Sequence, residues 1–331
     1  MSTEVNLAQC ETVGRIIHDI QIRPSFFDRP FLRNSLDTEV HAQMIIWAVA
    51  VCHQTYLLHS PEKNLFGWDY IEEAFVRHAN ENPMHLSPAL ISKMPIQSIA
   101  EMLAAMFSDS GKPEETTLDR LDERARLMKN LAAMIAQESG GSVSRWIGRS
   151  QGKVSGKSGL YSLLSGAEAF ADPERKKSSF LIKLLVDARL FDVSDPENLF
   201  PVMDYHIQRV LLRTGCVEIA SKDLADKLRK RIPLESDEVV RKACITAMRI
   251  ITLTSGHSVL SMNDYFWPFG RSCCNEQPLC VSGKCQKSPC SFSGIADIPK
   301  IHSCVFAKIC KGHSDANIRA FWQPVVITHY Y

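Results

Sequence analysis

The chain has 331 residues, of which 45% are hydrophobic, 8% aromatic and 23% charged, and its formal net charge is +1. That is the composition of a globular protein with room for one large domain or two medium ones. A net charge so near zero rules out any argument for a partner from global charge.

The first twenty residues, MSTEVNLAQCETVGRIIHDI, lack the basic-then-apolar layout of a signal peptide, so a cytoplasmic location is expected. The longest apolar run, MIIWAVAVC from Met44 to Cys52, is too short to span a bilayer, and no membrane partner is expected. Residues 39 to 59 are apolar through their middle, as in a helix buried on most sides. Residues 117 to 137 alternate charged and apolar positions at helical spacing and should stop at the Gly140-Gly141 pair. A further helix should start near Ser236, with that residue as N-cap and acidic residues in the first turn. Alternating β-branched runs are few, hairpin dipeptides are missing and no internal repeat is seen. The expected class is therefore mainly α.

Charge is uneven along the chain. Glu101 to Gly140 carries five basic and eight acidic residues, whereas Gly141 to Leu190 carries nine and four. The basic stretch fits either a solvated face or the footprint of a polyanion. Within it, GKVSGKSG (Gly152 to Gly159) has three residues between its first glycine and the Gly-Lys-Ser, where a phosphate loop needs four. It also lacks a preceding strand, so a flexible basic loop is the better reading.

Seven of the eleven cysteines lie between Arg271 and Gly312: Cys273, Cys274, Cys280, Cys285, Cys290, Cys304 and Cys310. Structural disulfides are disfavoured in a reducing compartment, and soft thiolates at such density suit zinc or an iron–sulfur cluster. Five residues separate Cys304 from Cys310, a gap unusual for zinc ribbons and fingers.

GRSCCNEQPLC followed by CVFAKIC resembles the cluster loop of endonuclease III-type DNA glycosylases, whose pattern is C-x6-C-x2-C-x5-C around a 4Fe–4S cluster. On that resemblance Cys304 and Cys310 are the last two ligands and Cys280 the second. Cys273 has the six-residue gap, while Cys274 sits at the family's distance after Gly270-Arg271; Cys274 is taken as the first ligand. The departure is that 23 residues, including Cys285 and Cys290, stand between Cys280 and Cys304. Either of those two could replace a ligand. Zinc is the alternative metal.

PVMDYHIQRVLLRTG is similar to the P-x-V-D-T-H-V-x-R-V-x-x-R-x-G signature of the helix-hairpin-helix glycosylases, with Tyr205 where threonine is usual. The resemblance implies that Asp204 starts a helix facing a DNA cleft as the catalytic carboxylate, beyond its plain role as an N-cap. AVAVCHQT resembles the L-S-A-Q-x-T stretch, which would place Gln54 in the gap left by a flipped base; otherwise Gln54 is a polar residue at a helix end. The usual L-P-G-V-G-x-x-T-A hairpin does not occur. In its place GLYSLLSGAEAFADPERKKSSFLIKLLVD resembles the altered hairpin of the archaeal 8-oxoguanine DNA glycosylases, in which a lysine opens the second helix. Asp172-Pro173 supplies that helix with an N-cap and an N1 proline. Phe180, Leu181, Leu184 and Leu185 should form its buried side. Residues 60 to 158 match no motif.

The resemblance implies two helical lobes with a cleft between them and a Cys-rich 4Fe–4S loop. The expected divisions are a helical lobe at 36–170, a hairpin-like catalytic segment at 171–215, and a cluster lobe from 1–35 with 216–331. The implied activity is excision of a damaged or modified base from double-stranded DNA by a monomer, after base flipping, in repair or in defence against phage DNA. Lys177, with Arg175 and Lys176 beside it, is the candidate nucleophile for an imine and a lyase step, and Lys183 the runner-up. Lys176, Lys183, Arg209 and Arg213 are candidates for DNA contact, as are Lys284, Lys287, Lys300, Lys308 and Lys311 around the cysteine loop. Two rivals remain: an N-glycosidase of the queuosine-salvage type acting on a modified nucleoside, and a non-enzymatic, zinc-stabilised nucleic-acid-binding module.

Overall fold

The computed structural model describes residues 2–24, 28–285, 290–295 and 303–331. Lys287 and Lys300 lie outside the described residues. The protein is mainly helical, with two short antiparallel ribbons, Thr3–Val5 with Val217–Ile219 and His59–Ser60 with Leu65–Phe66. Among the described residues no helix is long and apolar enough to cross a membrane. The chain divides into two compact units, Met1–Ser25 with Phe200–Ile327 and Phe26–Leu199 with Thr328–Tyr331. The division falls inside the 171–215 segment, so Lys177 and Asp204 belong to different units.

The unit holding Lys177 is built around the helix Thr38–Val51, in which every residue from His41 to Val51 is buried. Such a helix must be covered on all sides. Trp68–Glu81, Leu121–Ser139, Val143–Gly148 and Lys176–Asp187 all pack on it, and Ile96–Met106 covers Leu121–Ser139. The central helix stops at Val51, well short of the expected residue 59, because the chain turns at Gln54, whose φ is 45°. Leu121–Ser139 ends at Gly140 as the sequence suggests but starts four residues later than Thr117, after Arg120 in a left-handed conformation. Arg120 is held there by Glu123, by Gln54 Oε1 at 2.9 Å and by the Thr328 carbonyl at 3.1 Å. Glu39 secures the start of Val143–Gly148, taking the Val143 and Ser144 amides at 2.5 and 3.0 Å and the Ser142 hydroxyl at 2.9 Å.

In the other unit, Leu7–His18 lies against Glu238–Ser255, and Tyr205–Thr214 against Val259–Ser272. Glu238–Ser255 begins one residue after Asp237, not at Ser236, whose hydroxyl accepts from the Glu238 amide at 3.1 Å. Gly270 permits the second of these contacts, since a Cβ there would stand 2.7 Å from the His206 carbonyl oxygen. Tyr265, Phe266, Phe269, Phe292 and Phe306 form an aromatic core beneath the cysteine loop.

Candidate functional site

The helix Lys176–Asp187 begins three residues after Pro173, with Arg175 left-handed at its N-cap. Asp172 still holds the start: its carboxylate accepts from the Glu174 amide at 3.0 Å and the Lys176 amide at 2.8 Å. Phe180, Leu181, Leu184 and Leu185 are buried as expected. The same turn sends Lys177 inward, where it is completely buried.

The Lys177 amine meets the C-terminal end of the central helix. Nζ donates to the Ala50 carbonyl at 2.6 Å and lies 3.4 Å from His53 Nδ1. The Arg124 guanidinium, also fully buried, donates to the next carbonyl, that of Val51, and pairs with Asp119 at 2.7 Å. Unpaired carbonyls at a helix end carry partial negative charge and welcome such cations. The arrangement is nonetheless costly for Lys177, because no carboxylate pairs with it among the described residues. Burial, reinforced by Lys176 and Arg124, pushes its amine down to about 7. Burial, followed by Lys177 and Arg124, also holds the His53 imidazole far below its ordinary value, so the ring is neutral.

Lys183 is placed otherwise. It is buried but bonded to Asp187 at 2.5 Å, which removes it as a nucleophile and as a phosphate contact. Lys176 is nearly buried, with its ammonium 5.1 Å from the centre of the Phe180 ring. Gln54 is buried too; its side-chain oxygen accepts from Arg120 and, at 3.3 Å, from the Thr328 amide. It is therefore tied into its own unit by the segment Thr328–Tyr331. His53, Arg124 and His329 escaped sequence reasoning, and the only hint was a histidine next to Gln54 at the end of an apolar run.

In the second unit Asp204 is the N-cap of Tyr205–Thr214, accepting from the Ile207 amide at 2.9 Å, and is 5% exposed. Arg209 and Arg213 share a face of that helix, but the face points inward. Arg209 donates to the Cys274 carbonyl at 2.9 Å and the Gly270 carbonyl at 2.8 Å, while its guanidinium lies 4.4 Å from the Trp322 ring centre. Arg213 donates to the Asn275 carbonyl at 2.7 Å and the Phe321 carbonyl at 3.0 Å. Neither is offered to a DNA backbone. Both instead brace the cysteine loop, because planar guanidinium groups can satisfy several carbonyls at once. Around that loop Lys284 and Lys308 are exposed, whereas Lys311 pairs with Glu218 at 2.5 Å.

The seven loop cysteines sort into two groups. Cys274, Cys280, Cys304 and Cys310 bear on one another electrostatically; burial first, then these neighbours, raise Cys304 to about 12 and Cys310 to about 11. Cys273, Cys285 and Cys290 form the other group, with Cys290 hydrogen-bonded to both partners. Arg213 Nη1 reaches Cys274 Sγ at 3.8 Å, and the Cys310 thiol donates to the Arg213 carbonyl at 3.3 Å. The Tyr265 hydroxyl is buried with no hydrogen-bond partner among the described residues, and Cys304 and Cys273 lie near enough to bear on it. Four thiols that bear on one another are soft donors of the kind a thiolate-bound iron–sulfur cluster takes. Among the described residues no three His, Cys, Asp or Glu side chains already stand as a group able to hold a single metal ion.

No family model and no curated protein matches the chain. A solved structure described as that of a thermostable thymine-DNA glycosylase is similar in fold, with a TM-score of 0.45 and 10% identity over 93% of this chain and 97% of that one. A likeness of that grade carries no weight here, and the functional reading rests on the residues themselves.

Proposed function

We propose that this chain is a DNA glycosylase in which Lys177 attacks the sugar of an extruded nucleotide. The observation that carries the reading is the Lys177 amine: completely buried, without a carboxylate partner among the described residues, and held near 7 by burial. A neutral buried amine is a nucleophile, and structural lysines are not normally left in that state. Its two hydrogens would point to the Ala50 carbonyl and His53 Nδ1, which leaves the nitrogen lone pair for attack.

In the proposed reaction Nζ bonds to the anomeric carbon as the glycosidic bond breaks, and the base leaves with the bonding electrons and takes up a proton. The sugar ring then opens to an imine, its ring oxygen taking the proton lost by nitrogen. Water hydrolyses the imine, or β-elimination cuts the strand. Asp204 is proposed as the carboxylate that stabilises the positive charge developing on the sugar. Cys274, Cys280, Cys304 and Cys310 would hold a 4Fe–4S cluster whose contribution is architectural, with Lys284 and Lys308 next to it for DNA phosphates.

The test uses duplexes that each carry one damaged or modified base. Release of free base, together with borohydride trapping of protein on DNA, is expected for the unaltered chain. Trapping should vanish in Lys177→Ala, and Asp204→Asn should lose base release while keeping DNA binding. Trapping that survives Lys177→Ala would remove the proposed nucleophile.

A further inference from the structure

Two buried imidazole nitrogens beside Lys177, His53 Nε2 and His329 Nε2, have no hydrogen-bond partner among the described residues. Both residues belong to the same unit. The segment carrying His329 is strapped alongside residue 54, since the Gln54 amide donates to the Tyr331 carbonyl at 3.2 Å and the Gln54 side chain accepts from the Thr328 amide. Lys177 bears electrostatically on both rings, and His329 on His53.

The partners of the other ring nitrogens fix what each orphan atom offers. His53 Nδ1 lies 3.4 Å from the Lys177 amine, and with that amine as donor Nδ1 is the acceptor and Nε2 carries the ring proton. His329 Nδ1 faces an acceptor, the Glu123 carboxylate, at 3.7 Å. In the neutral ring Nδ1 then carries the proton, and Nε2 is a bare lone pair. One orphan is a donor and the other an acceptor. A fully buried donor without a partner is expensive, and its position next to a nucleophilic amine suggests that a ligand completes it.

We propose that His53 Nε2–H and His329 Nε2 read the amide-type edge of a nucleobase, a ring carbonyl beside a ring N–H, as found in uracil, thymine and guanine-type bases. The carbonyl accepts from His53 and the ring N–H donates to His329. Adenine-type and cytosine-type bases offer no such edge in their common forms and are discriminated against. The proposal rests on the glycosylase reading for its substrate and deepens it by naming the base class.

The first test needs no substitution and no turnover. Nitrogen-15 spectra of the unaltered protein should show His53 protonated at Nε2 and His329 at Nδ1. Uracil methylated only at its glycosidic nitrogen should shift both rings, and uracil methylated at both ring nitrogens should not. The opposite tautomers, or equal responses to the two probes, overturn the proposal. The second test compares His53→Phe and His329→Phe with the unaltered chain on DNA. Each variant should release a base bearing the amide edge on the order of ten to a hundred times more slowly, and His329→Phe, which leaves the contacts of the Lys177 amine in place, should keep trapping on a preformed abasic site. Variants that release such bases at the original rate sink the edge proposal and leave the glycosylase reading standing. Discriminating uracil binding without base release from any duplex does the reverse.

Discussion

Replacing Lys177 with methionine should make the protein more stable at neutral pH, against the usual direction of core substitutions. The unfolded chain holds the Lys177 proton to about pH 10.5, and the folded chain only to about 7. Between those values unfolding takes up a proton, so stability rises with pH across that window. Below about pH 7 the penalty is fully present and amounts to roughly 5 kcal/mol, the free energy of a drop of that size. This is an upper limit for the substitution, because methionine forfeits the hydrogen bond to the Ala50 carbonyl, worth roughly 1 kcal/mol. A net gain of a few kcal/mol below pH 7, shrinking toward pH 10, is expected for Lys177→Met. Urea denaturation of both proteins from pH 6 to 10 measures it. Parallel curves, or a variant less stable than the parent at pH 7, would refute the picture of an uncompensated buried amine.

Three further outcomes follow from the described contacts. Cys280→Ser should lower iron or zinc content, and Cys285→Ser should leave it unchanged, as read by elemental analysis and absorbance; the reverse pattern would show that the two thiol groups have been assigned the wrong way round. Arg209→Lys should destabilise its unit by roughly 3 kcal/mol, since a lysine cannot bridge the Cys274 and Gly270 carbonyls together, and faster thiol alkylation in the cysteine loop is the readout. Burial alone would raise the Glu39 carboxyl, but the Ser144 and Val143 amides and the Ser142 hydroxyl outweigh it and hold the group below its ordinary value. Its contribution is present above the usual glutamate range and lost as pH falls, so Glu39→Gln should cost roughly 1 kcal/mol at pH 7 in a melting series and almost nothing in strong acid.

The part of the site carried by local chemistry was legible in the sequence. Asp172-Pro173 announced a helix start and Asp204 another, because a carboxylate satisfies free amides wherever a helix begins. Arg209 and Arg213 stand four residues apart and so share one face of their helix. Which way that face points depends on Phe321, Trp322 and Gln323, more than a hundred residues along the chain, and spacing alone assigned it to DNA. The surroundings of Lys177 escaped for the same reason. Ala50 with His53, Arg124 and His329 come from three separate stretches, and only the folded chain brings them to one amine. The cysteine loop was visible as a cluster. Spacing left adjacent Cys273 and Cys274 open and the resemblance favoured Cys274; in the fold the two turn to different groups, Cys274 toward Cys280, Cys304 and Cys310.

The strand Thr3–Val5 and the helix after it have consequences for synthesis on the ribosome. Thr3 pairs with Ile219, and Leu7–His18 packs on Glu238–Ser255 so closely that a Cβ on Gly14 would stand 2.6 Å from Thr254 Cβ. The first helix therefore emerges with Cys10, Val13 and Ile17 uncovered and keeps that face bare until its partner has been translated. At ordinary elongation speeds the delay is roughly ten to fifty seconds. The unit that frames the cysteines must wait for residues beyond 200, and the unit containing residues 26–199 waits in turn for Thr328–Tyr331. Ribosome-held chains cut short before residue 238 should accordingly expose the first helix to chaperones and proteases.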